Sequence, residues 1–417
     1  MIDYTFKFAQ NICSIAGIKW RPDSFVNARN TRHILKTSAR KPIATVHFGA
    51  FYVGVGDDMC ELGSERNFFI VFFCRALNDF TKLHCFDIFF YLVDIPFLRI
   101  LAYRDNKIVG RIAGIINHCA NEAWSVKKCR FGWFDFIDDY DVFKALLDAV
   151  AEWGRNNGMQ CINGPVGFTD FDHQGLLIEG FDYNSPMASL YTYPYYIKHY
   201  ERYGLRKEAD WIEFQITPPA EAPERIKRVV QLVKSRFNLH TVKVKNSREL
   251  KKRYGYTYFD VLDAAYQKLY NYQPMTPRQK EYYCKMYFPI LNFDFVTFVA
   301  NEQDEIVAVG MGMPSLSDAL RKCGGHLFPF GWYHLLKALR SKKMTDFDLL
   351  IIAVRPDYQD KGATSLIIDE MTPYFTKYGI KRIETTAILE TNQKSIANFV
   401  DYDRFQHKRR RAYIKEL

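Results

Sequence analysis

Two stretches of this chain show the same succession of strand-like and helix-like patterns of hydrophobic and polar residues. In the first, two strand-like runs flank a turn at 104–106, and a third run is followed by apolar residues at helical spacing, among them Leu146, Val150 and Trp153. The predicted elements of this stretch are strands at 97–103, 107–117 and 128–137, a helix at 141–156 and a strand at 160–166.

The second stretch repeats this order. Its predicted elements are strands at 293–300, 305–313 and 348–354 with a turn at 302–304, a helix at 362–378, a strand at 382–389 and a last antiparallel strand at 409–414. Strands that alternate with helices in this way are typical of a mixed α/β sheet (α/β or α+β), here built twice.

A proline-rich segment, 217–224, separates the two stretches and has three prolines in eight residues. We therefore predict an N-terminal domain at 1–216, a linker at 217–224 and a C-terminal domain at 225–417. Residues 1–95 show no sustained periodicity, and 67–86 is the candidate segment for ordered elements there. Their structure is left open.

The C-terminal copy has a long insertion at 314–345 between its second and third strands. Two helices are predicted in it, at 316–321 and 333–341, around an aromatic and glycine-rich run. Long insertions at the ligand end of a sheet often form substrate walls. The candidate substrate-binding residues are His326, Phe328, Phe330 and Trp332.

Composition narrows the class of partner. With 48% hydrophobic and 25% charged residues the chain is globular, and its net charge of +10 favours anionic partners. Zinc-finger spacings, an RRM signature and a long basic stripe are absent, so no specific nucleic-acid partner is expected. The nine cysteines form no CxxC pair and indicate reduced thiols in a cytoplasmic protein, with no disulfide frame or metal site.

The opening residues do not resemble a signal peptide, since Asp3, Lys7 and Gln10 interrupt any apolar run. The most hydrophobic stretch, 86–102, contains Asp87, Asp94 and Arg99 and is not suited to span a bilayer. The expected location is the cytoplasm, with contact at the surface of the inner membrane left open.

The loop at 354–364 carries the clearest chemical signal. A buried strand ends at Val354 and a helix begins near Gly362, with Arg355 and Lys361 between them. Unpaired N–H groups and the helix dipole make such a junction an anion site, and glycine lets a phosphate approach the backbone closely. The alternative is an ordinary turn whose glycine is only conformational. The candidate ligand-binding residues are Val354, Arg355, Gln359, Lys361, Gly362, Ala363 and Thr364.

The Gln359-x-x-Gly362-x-Thr364 pattern resembles the loop with which GNAT-family acyltransferases hold the pyrophosphate of coenzyme A. From about residue 101 onward the chain resembles the YghO-like branch of that superfamily, which has two GNAT-like domains in tandem. The matching runs are 102–112 (AYRDNKIVGRI), 175–182 (GLLIEGFD), 313–317 (MPSLS), 327–331 (LFPFG) and 388–392 (ILETN).

The resemblance implies an acyl-CoA thioester as co-substrate, held by the loop above, with a backbone N–H near Val354 polarising the thioester carbonyl. Acyl transfer also requires a base for the incoming amine. Glu384 and Glu390, on or just after the strand that follows the cofactor helix, are the candidates. Asn392 either orients the substrate or caps the next helix, and Tyr402 is the nearest candidate acid for the leaving thiolate.

The N-terminal copy departs from this pattern. Its junction, 136–141, has three carboxylates and no glycine, so we expect it to start a helix and not to bind coenzyme A. Its loop at 164–173 is expected to help form the acceptor site, with His173 as a substrate-binding residue. The cluster of Asp170, Asp172 and His173 is interpreted as a turn and capping cluster in preference to a metal site.

The basic run 407–411 is expected to be a solvated part of the last strand, or to touch an anionic lipid or the 3′-phosphate of coenzyme A. Together these features predict an acyl-CoA-dependent N-acyltransferase that acylates a primary amine, with a lipid amine such as a sphingoid base as one candidate acceptor. The alternatives are a non-catalytic binding or scaffold protein with this fold, and a Fem-like aminoacyl transferase that depends on tRNA.

Overall fold

The computed structural model describes residues 45–49 and 97–417 of the chain. The segment 67–86, where the sequence suggested early elements, lies outside these residues. The strands are β1 Thr45–Gly49, β2 Phe97–Arg104, β3 Lys107–Ile115, β4 Lys128–Phe136, β5 Cys161–Gly164, β6 Leu176–Glu179, β7 Arg206–Ile216, β8 His240–Val242, β9 Val296–Ala300, β10 Ile306–Pro314, β11 Asp346–Val354, β12 Arg382–Thr385, β13 Ile388–Leu389 and β14 Arg404–Glu416.

Helices pack on the faces of this sheet and lie in the connections between its strands. They are α1 His118–Ala123, α2 Tyr140–Asn156, α3 Tyr195–Arg202, α4 Glu224–Phe237, α5 Ser247–Tyr254, α6 Thr257–Tyr266, α7 Pro277–Tyr287, α8 Ser317–Lys322, α9 Gly331–Leu339, α10 Ala363–Tyr378 and α11 Gln393–Ala397. Short 3₁₀ turns lie at Phe288–Ile290, Phe293–Phe295 and Pro356–Lys361. The predicted mixed α/β class is confirmed.

The repeated order of elements is confirmed as well. Strands β2, β3, β4 and β5 with helix α2 in the first half correspond to β9, β10, β11 and β12 with α10 in the second. In each half the first three strands are antiparallel neighbours, and the fourth pairs in parallel with the third across a crossover helix. The tight β2–β3 turn uses Asp105 and Asn106 in the left-handed region, a conformation that Asp and Asn tolerate.

The two halves share one sheet because they exchange their last strands. The strand order is β1-β2-β3-β4-β5-β14-β7-β12-β11-β10-β9-β8. Thus β14, the end of the chain, pairs with β5 of the first half, and β7 of the first half pairs with β12 of the second. Strands β7 and β14 also pair with each other in an antiparallel register from Arg404↔Ile216 to Ile414↔Arg206. The division into domains at 217–224 stays a prediction, but the sheet continues across it.

Three hydrophobic cores lie on this sheet. In the first half, α2 packs its apolar face, including Val142, Leu146 and Val150, against β2–β5. In the second half, α4 and α10 cover one face of the sheet through residues such as Val233 and Leu366. Helices α5 to α9 cover the other face. The candidate site described next lies on that last face.

Several predicted boundaries were wrong. The strand expected at 382–389 breaks after Thr385, and its second part, β13, pairs with β7 instead. The last strand is longer than predicted and runs from Arg404 to Glu416. Strand β7 and helices α4 to α7 were not predicted from the periodicity.

Candidate active site

Strands β11 and β12 separate in the middle of the second half of the sheet. Their parallel pairing runs from Asp346↔Arg382 to Leu349↔Thr385 and stops there. The chain of β12 then turns away, and β13 pairs with β7 at Ile388↔Ile212. The remaining part of β11, residues 350–354, therefore has no strand partner on this side. A gap between the two strands is the result.

A cavity of about 580 Å³ opens at this gap. One wall comes from the separated strands, through residues such as Ile351 and Ala387, and another from α6, α7 and the residues just after α7. The insertion contributes Leu316, Leu320 and Leu335. The loops 170–174 and 185–191 of the first half close a further side. Most lining side chains are aliphatic or aromatic, so the cavity suits an apolar ligand with few polar groups.

The loop predicted to bind a phosphorylated cofactor follows the unpaired end of β11. Gly362 lies between the 3₁₀ turn and α10 with φ 78°, which favours glycine. A Cβ at this position would lie 2.8 Å from Val233 Cγ2 and 2.9 Å from Val229 Cγ1, so α4 packs directly against the glycine. No side chain caps the start of α10. Its first N–H groups, those of Ala363 and Thr364, are thus not satisfied by a capping side chain.

The polar side chains of this loop differ in their availability. Arg355 is held by its near neighbour Asp357 in a two-pronged ion pair, at 2.8 and 2.7 Å. Gln359 donates to the carbonyl of Val354 at 3.3 Å and thereby fixes the turn. Lys361 packs its ammonium over the Tyr358 ring at 4.2 Å from the centroid and forms no ion pair within the part of the chain that the structure describes. Of the loop's cations, Lys361 is therefore the better placed to meet an anion.

The predicted bases, Glu384 and Glu390, are both engaged in ion pairs. Glu390 contacts Lys207 and accepts from Arg409 at 2.8 Å. Glu384 contacts Lys408 and lies 3.1 Å from His407 Nε2. Neither glutamate lines the cavity. The structure thus places both carboxylates beside cations at the β7–β14 junction, and their role as bases stays a prediction.

The basic run 407–411 is not a solvated surface, and that expectation was wrong. Lys408 and Arg410 are buried, with 0% and 1% exposure, because this part of β14 lies inside the sheet, where it pairs with β7 on one side and, at residues 409–411, with β6 on the other. Both contact the buried carboxylate of Glu213, Lys408 at 3.3 Å. Although burial raises the pKa of Glu213, Arg410 and Lys408 together hold it below the ordinary value.

The same junction contains the group of described residues whose geometry could hold a metal ion. Ligand atoms of Glu213, Glu384 and His407 lie within 4.8 Å of one another. The ammonium of Lys408 contacts both carboxylates, so protein cations already balance the negative charge. We interpret the group as a buried ion-pair network that joins the two halves.

The other predicted catalytic residues lie at the start and after the end of α11. Asn392 caps this helix, accepting from Ser395 N at 3.2 Å, and it also lines the cavity. Both uses proposed for it are therefore compatible with its position. Tyr402 packs against the core under α4 and α10, and burial raises its pKa to about 12. Its hydroxyl does not line the cavity.

The predicted substrate-binding residues divide into two groups. His173 lines the cavity, and its ring nitrogen lies 3.3 Å from the carbonyl oxygen of Met187. The aromatic residues of the insertion instead face outward, with exposures of 58% for Phe328, 69% for Phe330 and 41% for Trp332, and His326 is exposed as well. The inner wall of the insertion is formed by leucines, which the sequence argument did not single out.

Sequence reasoning missed the tyrosines of α6 and of the segment that follows it. Tyr266 donates from its hydroxyl to the carbonyl of Ile352 at 3.3 Å, on the unpaired part of β11. Tyr270 lines the cavity and donates to Glu208. A helical pattern at 257–266 was available as a signal, but no local sequence feature indicates that this helix lies over a gap between two strands that are distant in the chain.

Comparison with known proteins confirms the resemblance inferred from the sequence. The chain is 27% identical to Protein YghO of Escherichia coli (strain K12) over 326 residues, 76% of this chain and 81% of that protein. It is 24% identical to Bacterial ceramide synthase of Caulobacter vibrioides over 334 residues, 76% of this chain and 83% of that one. No family model matches.

Solved structures similar to this fold include GNAT proteins. One is a tandem GNAT protein from the clavulanic acid biosynthesis pathway, with a TM-score of 0.44, 8% identity and coverage of 77% of this chain and 83% of that one. Another is a GCN5-related N-acetyltransferase from Sphaerobacter thermophilus, with a TM-score of 0.42, 12% identity and coverage of 76% and 80%. Among the described residues, no helix is both long and apolar enough to cross a membrane.

Proposed function

We propose that this protein is an acyl-CoA-dependent N-acyltransferase that transfers a long acyl chain to a lipid amine. The observation that carries the proposal is the apolar cavity of about 580 Å³ between the separated strands β11 and β12. Strand β11, whose residues 349–352 line the cavity, leads into the junction at Gly362, where uncapped N–H groups and Lys361 suit a pyrophosphate. The acyl chain would occupy the cavity, and the nucleotide would lie outside the loop.

The lipid character of the substrates is supported by the cavity lining and by one relative. Among the described residues, no lysine, arginine or glutamate lines the cavity, which suits hydrocarbon better than a peptide or a sugar. Bacterial ceramide synthase of Caulobacter vibrioides, 24% identical to this chain, has a name that denotes formation of a sphingolipid amide. A sphingoid base is therefore the first acceptor to test.

A membrane surface is the proposed source of these lipids. The insertion exposes Phe328, Phe330, Trp332 and Tyr333 on the outside of α9 and the loop before it, while Leu335 of the same helix lines the cavity. Exposed aromatic residues next to cations are typical of segments that lie in a lipid interface. The neighbouring cations are Arg321, Lys322, Lys337, Arg340, Lys342 and Lys343.

Binding of palmitoyl-CoA, measured by calorimetry, tests the cofactor site. The wild type is expected to bind, and Lys361→Glu to weaken the affinity about tenfold through charge reversal at the phosphates. Lys107→Glu, the same change on an exposed hairpin of the first half, is the matched control and is expected to bind as the wild type does. Gly362→Glu is less informative, because its side chain would also push against Val229 and Val233.

Equal affinity in all three proteins would contradict the proposed loop. No binding of palmitoyl-CoA by the wild type would remove acyl-CoA as the donor. The scaffold role or the tRNA-dependent aminoacyl transferase would then be the better explanation, and a requirement for aminoacyl-tRNA would distinguish them.

A further inference from the structure

The ionisable side chains that line the cavity come from the first half of the chain and from α6, α7 and the segment between them. Among the lining residues these are Asp170, Asp172 and His173, together with tyrosines such as Tyr266 and Tyr270. An amine that attacks a thioester must first lose the proton of its ammonium form. The cavity therefore needs one group that can accept this proton, and the three loop residues can be compared directly.

Two of the three are committed to holding the loop. Asp172 accepts backbone N–H groups of Phe168 at 3.0 Å and Thr169 at 3.1 Å through one oxygen, which closes the turn. His173 contacts the carbonyl oxygen of Met187 through its ring nitrogen. The expected capping and turn role thus fits Asp172 well. It does not fit Asp170, which caps nothing.

Asp170 keeps one carboxylate oxygen available. Its Oδ1 accepts from Gln174 Nε2 at 3.2 Å, and its Oδ2 accepts no hydrogen bond from the described residues. Protein surrounds the side chain, yet the residue retains intermediate exposure, so the exposed surface faces the cavity. A carboxylate oxygen that is unbonded and open to an apolar cavity is suited to receive a ligand's proton.

A buried arginine, Arg130, is hydrogen-bonded to the backbone of the loop that carries Asp170. Arg130 of β4, 3% exposed, donates to the carbonyl oxygens of Gly167 and Phe168, each at 3.1 Å, and to Asn271 Oδ1 at 2.7 Å. No carboxylate lies within ion-pair distance of it among the described residues. The guanidinium fixes the backbone before Asp170 and supplies a nearby positive charge without neutralising the carboxylate by contact.

The unpaired part of β11 lines the same cavity. Tyr266, whose hydroxyl bonds to Ile352, lies within the electrostatic influence of Asp170, which contributes to raising the pKa of that phenol after the larger effect of burial. Burial likewise raises the pKa of Asp170 to about 7, against the lowering effect of Arg130 and of the Gln174 bond. A base with a pKa near neutrality is efficient at physiological pH.

We infer that Asp170 is the general base of the acyl transfer, supplied by the first half of the chain to the cavity of the second. This inference rests on the proposed function. Asp170 Oδ2 takes a proton from the substrate ammonium, and the free amine nitrogen attacks the thioester carbonyl carbon. The C–S bond then breaks, the second amine proton passes to the thiolate to give the CoA thiol, and Asp170 releases its proton to solvent.

The test is steady-state CoA release from palmitoyl-CoA with sphinganine as acceptor, in wild type and Asp170→Asn. The substitution is expected to lower kcat by about 10²–10⁴-fold at pH 7, with the Kd for palmitoyl-CoA unchanged. In the wild type, kcat/KM should fall below an inflection near pH 7. In Asp170→Asn this inflection disappears, and activity recovers as the pH approaches the pKa of the amine, since free amine needs no base.

The pH dependence must be interpreted with the neighbours of Asp170 in view, and it needs a control variant. The charged and titratable side chains near it are Arg130, Asp172, Tyr266 and Tyr272. Asp348→Asn is the matched control, because the pKa of the Asp348 carboxyl is likewise raised to about 7 but its side chain does not line the cavity. It is expected to retain activity within about threefold.

The outcomes separate the two proposals. If the wild type transfers the acyl chain and Asp170→Asn keeps more than a third of the wild-type kcat at pH 7, the role of Asp170 is overturned. The proposed function then remains intact. Loss of palmitoyl-CoA binding in Asp170→Asn would show a structural role and would also overturn it. An absence of acyl transfer by the wild type with every amine tested, despite binding of palmitoyl-CoA, overturns both.

Discussion

The two halves of this molecule have the same order of strands and helices but opposite junctions after their third strand. In the first half Asp139 caps α2 through Asp141 N and Val142 N and pairs with Arg104, while Asp138 pairs with Lys198 and His199. In the second half the equivalent position is Gly362, with no capping side chain. The junction between strand and helix is thus closed by a carboxylate cap in one half, whereas in the other a 3₁₀ turn and a left-handed glycine precede a helix without a capping side chain.

The comparison extends to the segment between the second and third strands of each half. In the first half it contains only the short α1, whereas in the second it contains α8 and α9 and walls the cavity with three leucines. In return, the first half contributes its loops at 170–174 and 185–191 to that cavity. The halves are therefore complementary, since the second supplies the uncapped junction and the separated strands of the cavity, and the first supplies acidic and polar side chains to the cavity wall.

Breaking the network that joins the halves should have the largest effect on stability. Glu213→Gln removes the buried charge that Lys408 and Arg410 share, and we expect the free energy of unfolding to fall by about 3–5 kcal/mol. Urea denaturation with circular dichroism measures it. The matched control is Arg225→Gln, which breaks an exposed pair with Asp401 and should cost less than about 1 kcal/mol. Equal losses in the two variants would contradict a joining role for Glu213.

A smaller effect, visible as a pH dependence of stability, is expected from one carboxylate with a raised pKa in each half, Asp170 and Asp348. Burial, and then Glu384, raises the pKa of Asp348 from its model-compound value of 3.8 to about 7. The native state therefore binds more protons than the unfolded chain between pH 4 and 7, and the contribution of Asp348 to stability falls as the pH rises through this window.

Asp348→Asn should remove this dependence. Between pH 4 and 7, the free energy of unfolding of the wild type is expected to fall by up to about 1 kcal/mol per pH unit more than that of the variant. Asp170→Asn should remove a similar slope, since its pKa is also raised to about 7. Denaturant titrations at a series of pH values provide the measurement. Parallel curves for wild type and Asp348→Asn would show that Asp348 is ionised at neutral pH.

The smallest effect on stability is expected from the exposed aromatic residues of the insertion in the second half. The double change Phe330→Ser and Trp332→Ser should leave the free energy of unfolding within about 0.5–1 kcal/mol of the wild-type value, because both side chains are exposed. Binding to vesicles that contain phosphatidylglycerol, measured by co-sedimentation, should nevertheless fall severalfold. Ile108→Ser, at an exposed site in the first half, is the control. Unchanged co-sedimentation in the double variant would exclude the insertion as the membrane contact.

Local patterns in the sequence determined much of this molecule. The apolar spacing of α2 and α10, the β2–β3 turn at Asp105 and Asn106, and the strand-to-helix junction at Gly362 all follow from interactions between residues close in the chain. The conversion of the first junction into a carboxylate cap was also predicted, because Asp139 acts on backbone groups two and three residues away.

Tertiary structure alone decided how the two copies combine. The pairing of β14 with β5 joins residues such as Tyr413 and Gly164, which are far apart in the chain, and no local periodicity specifies which edge a strand will join. The pairing of β14 with β6 and β7 buried Lys408 and Arg410 of the basic run, which the sequence presented as a charged surface, and placed cations beside Glu384 and Glu390. It also brought the loop of Asp170 to the cavity of the other half. Which side chains are buried, and which strands pair, depends on the whole chain. For that reason the ion pairs of this site could not be predicted from composition or local pattern.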